Sequence, residues 1–266
     1  MMHALFLLNR SDQFSVALEE LSQLGLSHSY ILEDELLGTL IGGFLPEKIQ
    51  ALKSLIYSKV HLLEEAKIDW EAQWAFHAKE FKDGTSIISL DDYGIQGKKI
   101  FLHPGPGFGD LSHPTTHLML TMMPPYMKEK TVVDLGCGSG ILSLAALNMG
   151  AKEALAIDIC DSSLEHTSRN AKENGLSENI FIAKNLESLT PEKDAVLLIN
   201  MTLFDQKNVL EEYPNLFANF EIIISSGILN YQKDFYLKEI SPACILTNTS
   251  FQNWLGFVMK NEKALL

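Results

Sequence analysis

The sequence predicts an α/β protein: a mostly parallel sheet covered on both faces by helices, preceded by a small βαββαβ module. Three observations carry this. After Lys130, short apolar runs alternate with helical patterns, as parallel strands joined by crossover helices do. One run, Val132-Val133-Asp134-Leu135, opens directly into a glycine-rich turn and then a helix. The first 65 residues form a complete pattern of their own.

In the front module, Ala4 to Leu8 is a short apolar strand. Ser11 and Asp12 offer helix caps, and Phe14, Ala17, Leu18, Leu21 and Leu24 recur at helical spacing until Gly25 stops the helix. Ser29 to Leu32 and Leu37 to Leu45 read as strands around Glu33-Asp34-Glu35. Pro46 opens a second helix with Ile49, Leu52, Leu55 and Ile56 on one face, and Val60 to Leu63 is a last strand. This order is the ferredoxin-like one, which leaves one sheet face for a partner. The boundaries expected are 1–64 for this domain, 65–85 for a linker helix carrying Trp70, Trp74 and Phe76, and 86–266 for the second domain. The aromatics of the linker read as core packing against that second domain.

The second domain begins with short strands around the turn Asp91-Asp92-Tyr93-Gly94. A Gly/Pro-rich loop, His103 to Gly109, precedes a helix from Pro114 to Met123, and Pro124-Pro125-Tyr126 reads as a turn. Strands follow at 131–135, 154–159, 180–183, 195–199 and 221–225, with helices at 141–149 and 162–174. An apolar segment, Phe251 to Met259, closes the pattern.

Composition narrows the function classes. Among 266 residues, 34 are acidic and 21 basic, a formal charge of −13, which disfavours naked nucleic acid as the main partner. Three cysteines without a CxxC pair, and scattered histidines, imply neither a disulfide framework nor a metal site. No apolar stretch approaches the roughly 20 residues that span a bilayer. A soluble, cytoplasmic protein without membrane association is expected.

The chemistry concentrates around Asp134-Leu135-Gly136-Cys137-Gly138-Ser139-Gly140. This is not the GxGxxG turn that presents a helix N-terminus to pyrophosphate. Asp134 stands where it would repel phosphate and suits an ammonium group instead, as in the amino-acid end of S-adenosyl-L-methionine. Eighteen residues after Gly140, Asp158 ends the second strand, where a carboxylate accepts from both ribose hydroxyls. Three closely spaced glycines cost backbone entropy unless something must approach the chain.

With these residues the sequence resembles the class I S-adenosylmethionine-dependent methyltransferases, and more narrowly the PrmA family, the methyltransferases of ribosomal large-subunit protein eleven. The resemblance rests on Asp69-Trp70-Glu71 with Trp74, His113-Pro114-Thr115-Thr116, Val133 to Leu142, Ile157-Asp158-Ile159, Asn170 to Gly175, Ser226-Gly227-Ile228-Leu229 and Asn253-Trp254. It covers nearly the whole chain. It implies a Rossmann-like methyltransferase domain with a seven-stranded sheet behind the front domain. It also implies S-adenosyl-L-methionine as cofactor, and methyl transfer to lysine side chains or the N-terminus of a ribosomal large-subunit protein recognised by the front domain. Cofactor-binding residues would be Thr115, Thr116, Asp134, Gly136, Gly138, Gly140, Asp158, Asn185 and Asn200. Asn200, at the carboxyl end of a central strand, is the candidate for aiming the acceptor amine, which must lose its proton before attack. His113 would orient its loop or serve as a base.

The chain departs from the family pattern at three places. Gly109-Asp110-Leu111-Ser112 replaces a Gly-Thr-Gly-Thr loop, which predicts a stiffer segment; Cys160 stands where relatives carry an acid; and Lys184-Asn185 replaces a Gly-Asp at the adenine edge. Two alternatives remain open: the same chemistry on another protein lysine, and a cofactor-binding protein that has lost turnover.

Overall fold

The computed structural model describes residues 2–8, 14–34, 38–45, 58–63, 69–78, 80–186, 194–240 and 244–261. The chain divides into two compact units, 1–77 and 78–266.

In the first unit, β1 (Met2–Leu8), β2 (Ser27–Asp34), β3 (Gly38–Leu45) and β4 (Ser58–Leu63) form one antiparallel sheet in the order β2-β3-β1-β4. Helix α1 (Phe14–Gln23) buries Ala17, Leu18 and Leu21 at the spacing that places them on one stripe. It ends in a Schellman turn: Gly25 takes φ +90°, its N–H donates to Ser22 O, and Leu26 N–H donates to Leu21 O. The helix expected over 46–56 lies outside the described residues. Helix α2 (Trp70–His77) packs near β2 and buries Trp74.

The linker helix expected to run to residue 85 stops at His77. Beyond it, β5 (Phe81–Lys82) and β6 (Thr85–Ser89) form a hairpin, and β6 pairs with β7 (Lys99–Leu102). The reason is local: Asp83-Gly84, at φ +51° and +76°, supplies the left-handed pair that a two-residue hairpin turn demands. Pro124-Pro125-Tyr126 is also not a simple turn. It starts the single-turn helix α4 (Pro124–Met127) behind α3 (Pro114–Met122), since proline is preorganised for a first helical turn.

The second unit is built on a seven-stranded sheet. Its strands are β8 (Thr131–Leu135), β9 (Glu153–Ile157), β10 (Ile180–Ala183), β11 (Val196–Asn200), β12 (Ile222–Leu229), β13 (Cys244–Phe251) and β14 (Trp254–Lys260). The order is β10-β9-β8-β11-β12-β14-β13; β8 to β12 are mutually parallel where they pair, and β14 and β13 close it antiparallel. Helices α5 (Ile141–Asn148), α6 (Asp161–Glu173), α7 (Leu203–Glu212) and α8 (Lys233–Glu239) lie between the strands in sequence. Strands β8, β11 and β12 are almost wholly buried, as their mainly apolar runs require; Asp134 in β8 and Ser225-Ser226 in β12 are the buried polar exceptions. One face packs Val133, Leu197, Ile199, Ile223, Phe220 and Met259 around stacked Tyr236 and Phe257.

The expected single segment 251–259 is in fact the return strand of a hairpin. Edge strand β13 carries Thr247-Asn248-Thr249-Ser250 and is largely exposed, so it has no apolar alternation to read. Its turn, Gln252-Asn253, contains no glycine although Gln252 sits at φ +54°.

This topology positions the site. The chain runs outward from β8 to β10 and then returns to place β11 on the other side of β8. The order reverses between β8 and β11, and their carboxyl ends border the crevice where open α/β sheets bind ligands.

Candidate functional site

The turn after β8 is fastened to β9, because the Gly136 and Cys137 N–H groups both donate to Ile157 O (2.8 and 3.0 Å). Gly136, Gly138 and Gly140 all take positive φ. At Gly138 the need for glycine is absolute: a Cβ there would sit 2.5 Å from Phe108 O. Asp158, at the tip of β9, accepts from Gly138 N–H through Oδ2 (3.1 Å) and from Cys160 N–H through Oδ1 (2.9 Å). The glycine turn and the acid eighteen residues downstream therefore meet.

Asp134 is buried. Its Oδ2 accepts from the N–H and Oγ of Ser143 in α5 (3.0 and 2.7 Å). Burial raises its pKa to about 6 against the opposing pull of these two bonds, and nearby Asp158 pushes the same way as burial. One carboxylate oxygen is thus committed to holding the start of α5.

His113 caps α3. Its Nδ1 lies 2.9 Å from Thr115 Oγ1 and accepts weakly from Thr115 N–H (3.4 Å). The ring sits edge-on to Phe108 and Trp254, and burial lowers its pKa to about 4 despite the opposing charge of Asp110. A buried neutral ring engaged with Thr115 suits loop orientation better than proton removal. Thr116 Oγ1 and, at the end of β11, Asn200 Oδ1 are buried without a hydrogen-bond partner among the described residues. Two such orphans cost stability unless a ligand satisfies them. Asn185 lies exposed just after β10.

Asn185, Asp158 and the glycine turn thus follow β10, β9 and β8, and Asn200 ends β11; these four strands are successive neighbours in the sheet. Residues far apart in sequence line one carboxyl edge. A family model described as Ribosomal protein L11 methyltransferase (PrmA) matches residues 26–262. The chain belongs to the PrmA family.

Similar proteins bear the same description. A ribosomal protein L11 methyltransferase of Thermoanaerobacter pseudethanolicus is 32% identical over 188 residues, which is 68% of this chain and 60% of that protein. One from Histophilus somni is 34% identical over 202 residues, 70% of this chain and 67% of that protein. The first of these matches therefore spans less than two thirds of the relative's own length. The crystal structure of a ribosomal protein L11 methylase from Lactobacillus delbrueckii subsp. bulgaricus superposes with a TM-score of 0.50 at 28% identity. That superposition covers 59% of this chain and 82% of that one.

In this PrmA-family chain the candidate site has supports that carry little sequence signal. Gln206 Nε2 donates to Met201 O and Ser226 O (both 2.8 Å), and Ser225 Oγ donates to Gln206 Oε1 (3.0 Å). This buried amide ties the residue after Asn200 to β12. Gly227, part of the Ser-Gly-Ile-Leu match, lets Met201 approach; a Cβ there would fall 1.8 Å from Met201 O. The altered loop closes on itself, with Asp110 Oδ1 accepting from Ser112 N–H and Oγ. Leu111, where the family pattern has glycine, takes φ +70° and is buried. Among the described residues no cluster of three or more His, Cys, Asp or Glu is placed to hold a metal ion, and no helix is long and apolar enough to cross a membrane.

Proposed function

We propose that this chain is an S-adenosyl-L-methionine-dependent protein methyltransferase that acts on amines of ribosomal protein L11 in the cytoplasm. The observation that carries the reading is the carboxyl-edge alignment at the switch point, where Asp158 meets the glycine turn and Asn200 presents a buried oxygen with no partner among the described residues. The cofactor supplies an electrophilic methyl on a sulfonium. Asp158 and Asn185 would hold its ribose and adenine ends, and Gly136, Gly138 and Gly140 would admit it close to the backbone. Asp134, Thr115 and Thr116 would serve its amino-acid end.

Asn200 is the residue for the acceptor. A side-chain oxygen with no partner among the described residues can accept a hydrogen bond from an incoming amine. A buried position favours the neutral, nucleophilic form of a lysine or N-terminal amine and orients its lone pair. The substrate-recognition role falls to the front unit, read as a ferredoxin-like domain because its β2-β3-β1-β4 order is the one that a split βαβ produces. The charge of −13 disfavours bare RNA as the acceptor.

The test is transfer from methyl-labelled S-adenosyl-L-methionine into purified ribosomal protein L11 and into total ribosomal proteins, with the label located by mass spectrometry and Asp158→Ala as control. Label on amines of L11 is expected. Label on another protein changes the acceptor. Cofactor binding without label would favour a binding protein that has lost turnover, a reading to which the left-handed, buried Leu111 in the altered loop lends support.

A further inference from the structure

Helix α6 holds two glycine-rich loops at once, through three buried residues on adjacent turns: His166, Thr167 and Asn170. His166 Nδ1 accepts from Gly107 N–H (3.1 Å), so its proton resides on Nε2, which donates to His103 O (2.7 Å). Gly105 packs against the ring itself; a Cβ there would lie 2.7 Å from it. With Gly107 so held, its Cα abuts the cofactor turn: a Cβ on Gly107 would fall 2.3 Å from the Gly138 carbonyl carbon. Ser139 then donates twice to the same loop, from N–H to Phe108 O (2.9 Å) and from Oγ to Gly109 O (2.7 Å). Thr167 Oγ1 donates to Gly138 O (3.0 Å), and Asn170 bridges Ser139 O and His103 N–H (2.8 and 2.9 Å).

We propose that His166 is a positioning residue for the cofactor turn, acting through Gly107 on Gly138 and Ser139. The inference rests on the cofactor reading above and goes beyond it, since both ring nitrogens of His166 are committed to the 103–107 loop. Its physical basis is entropic. Glycine segments lose the most conformational freedom on ordering, and a loop left loose must be ordered at the moment of binding, at the expense of affinity. His166 offers one donor and one acceptor on a rigid ring, which order the loop in advance. The role needs a neutral ring, and burial keeps it so by lowering its pKa to about 4; the bond to His103 O pulls the other way, and the charges of Arg169 and His103 add to the lowering.

The test compares His166→Leu with His166→Gln, whose amide also offers a donor and an acceptor. S-adenosyl-L-homocysteine binding is measured by calorimetry, and the KM for S-adenosyl-L-methionine and kcat by methyl transfer. The Leu variant is expected to raise the cofactor Kd and KM by about tenfold or more, the loss that goes with an abandoned buried donor. It should leave kcat within about twofold of the parent, and the Gln variant should recover most of the affinity. A Leu variant that binds as tightly as the parent, or a loss in kcat alone, overturns the proposal. If His166→Leu does not fold, hydrogen exchange of the Gly107 amide in the parent decides. Protection before ligand is added upholds preorganisation, and protection only afterwards overturns it. A parent that binds no S-adenosyl-L-homocysteine overturns the cofactor reading itself, which separates the two failures.

Discussion

Acidification should weaken cofactor binding before it unfolds the protein, and Asp134 should be the cause. Its carboxyl is buried and its pKa is raised from 3.8 to about 6, chiefly by desolvation. That difference amounts to ~3 kcal/mol of preference for the protonated form in the folded state. The raised value fixes the sign. The folded chain binds this proton more tightly than the unfolded chain, so the group favours folding below 3.8 and opposes it increasingly as pH rises through about 6. An ammonium group bound beside it needs the ionised form. At pH 5, with a pKa of about 6, roughly one Asp134 in eleven is ionised, so apparent affinity falls about tenfold from its value at pH 8. Calorimetric titration with S-adenosyl-L-homocysteine from pH 5 to 8 measures this directly. Asp134→Asn should bind more weakly at pH 8 and lose the slope, and its stability should lose the same pH-dependent component in denaturant titrations. A parent profile flat across this range, or an unaltered slope in the Asn variant, would refute the reasoning.

Other perturbations separate the site's parts. Asp158→Ala removes the acceptor of Gly138 N–H and the expected ribose contact, and should raise the cofactor Kd by about tenfold or more in calorimetry; an unchanged Kd removes Asp158 from the site. Asn200→Ala should bind cofactor nearly as the parent does yet lose methyl transfer in the labelling assay, and unchanged transfer would exclude it from acceptor alignment. Gly227→Ala forces a Cβ to within 1.8 Å of Met201 O at φ +95°, and should cost about 3 kcal/mol or more in urea unfolding. A variant of parental stability would show that the segment after Asn200 is free to shift.

Legibility in the sequence followed burial. Strands β8, β10 and β11 are apolar runs with glycine or charge at their ends, and each lies within a residue or so of where its pattern placed it. Edge strand β13 was invisible because solvent on its exposed residues leaves composition unconstrained. Helix α7 is largely polar, buries only Leu203 and Gln206, and begins at a Thr202 cap rather than at a hydrophobic stripe. The Asp83-Gly84 hairpin did carry a signal, which the surrounding aromatics masked by suggesting a continuous helix.

The sequence by itself determined the class of sheet, the glycine turn with its two acids, and the resemblance to one family. These depend on local rules: apolar runs for buried strands, glycine where φ is positive, and spacing along one βαβ unit. Only the tertiary structure decided which residues share an edge. It set Asn185, Asp158, the glycine turn and Asn200 in sheet order, committed one oxygen of Asp134 to Ser143, and left the oxygens of Thr116 and Asn200 without partners among the described residues. It also revealed His166 and Gln206 as ties between distant loops. A hydrogen bond across 59 residues, as between Gly107 and His166, leaves no periodicity in either segment, because what joins them is the path of the whole sheet.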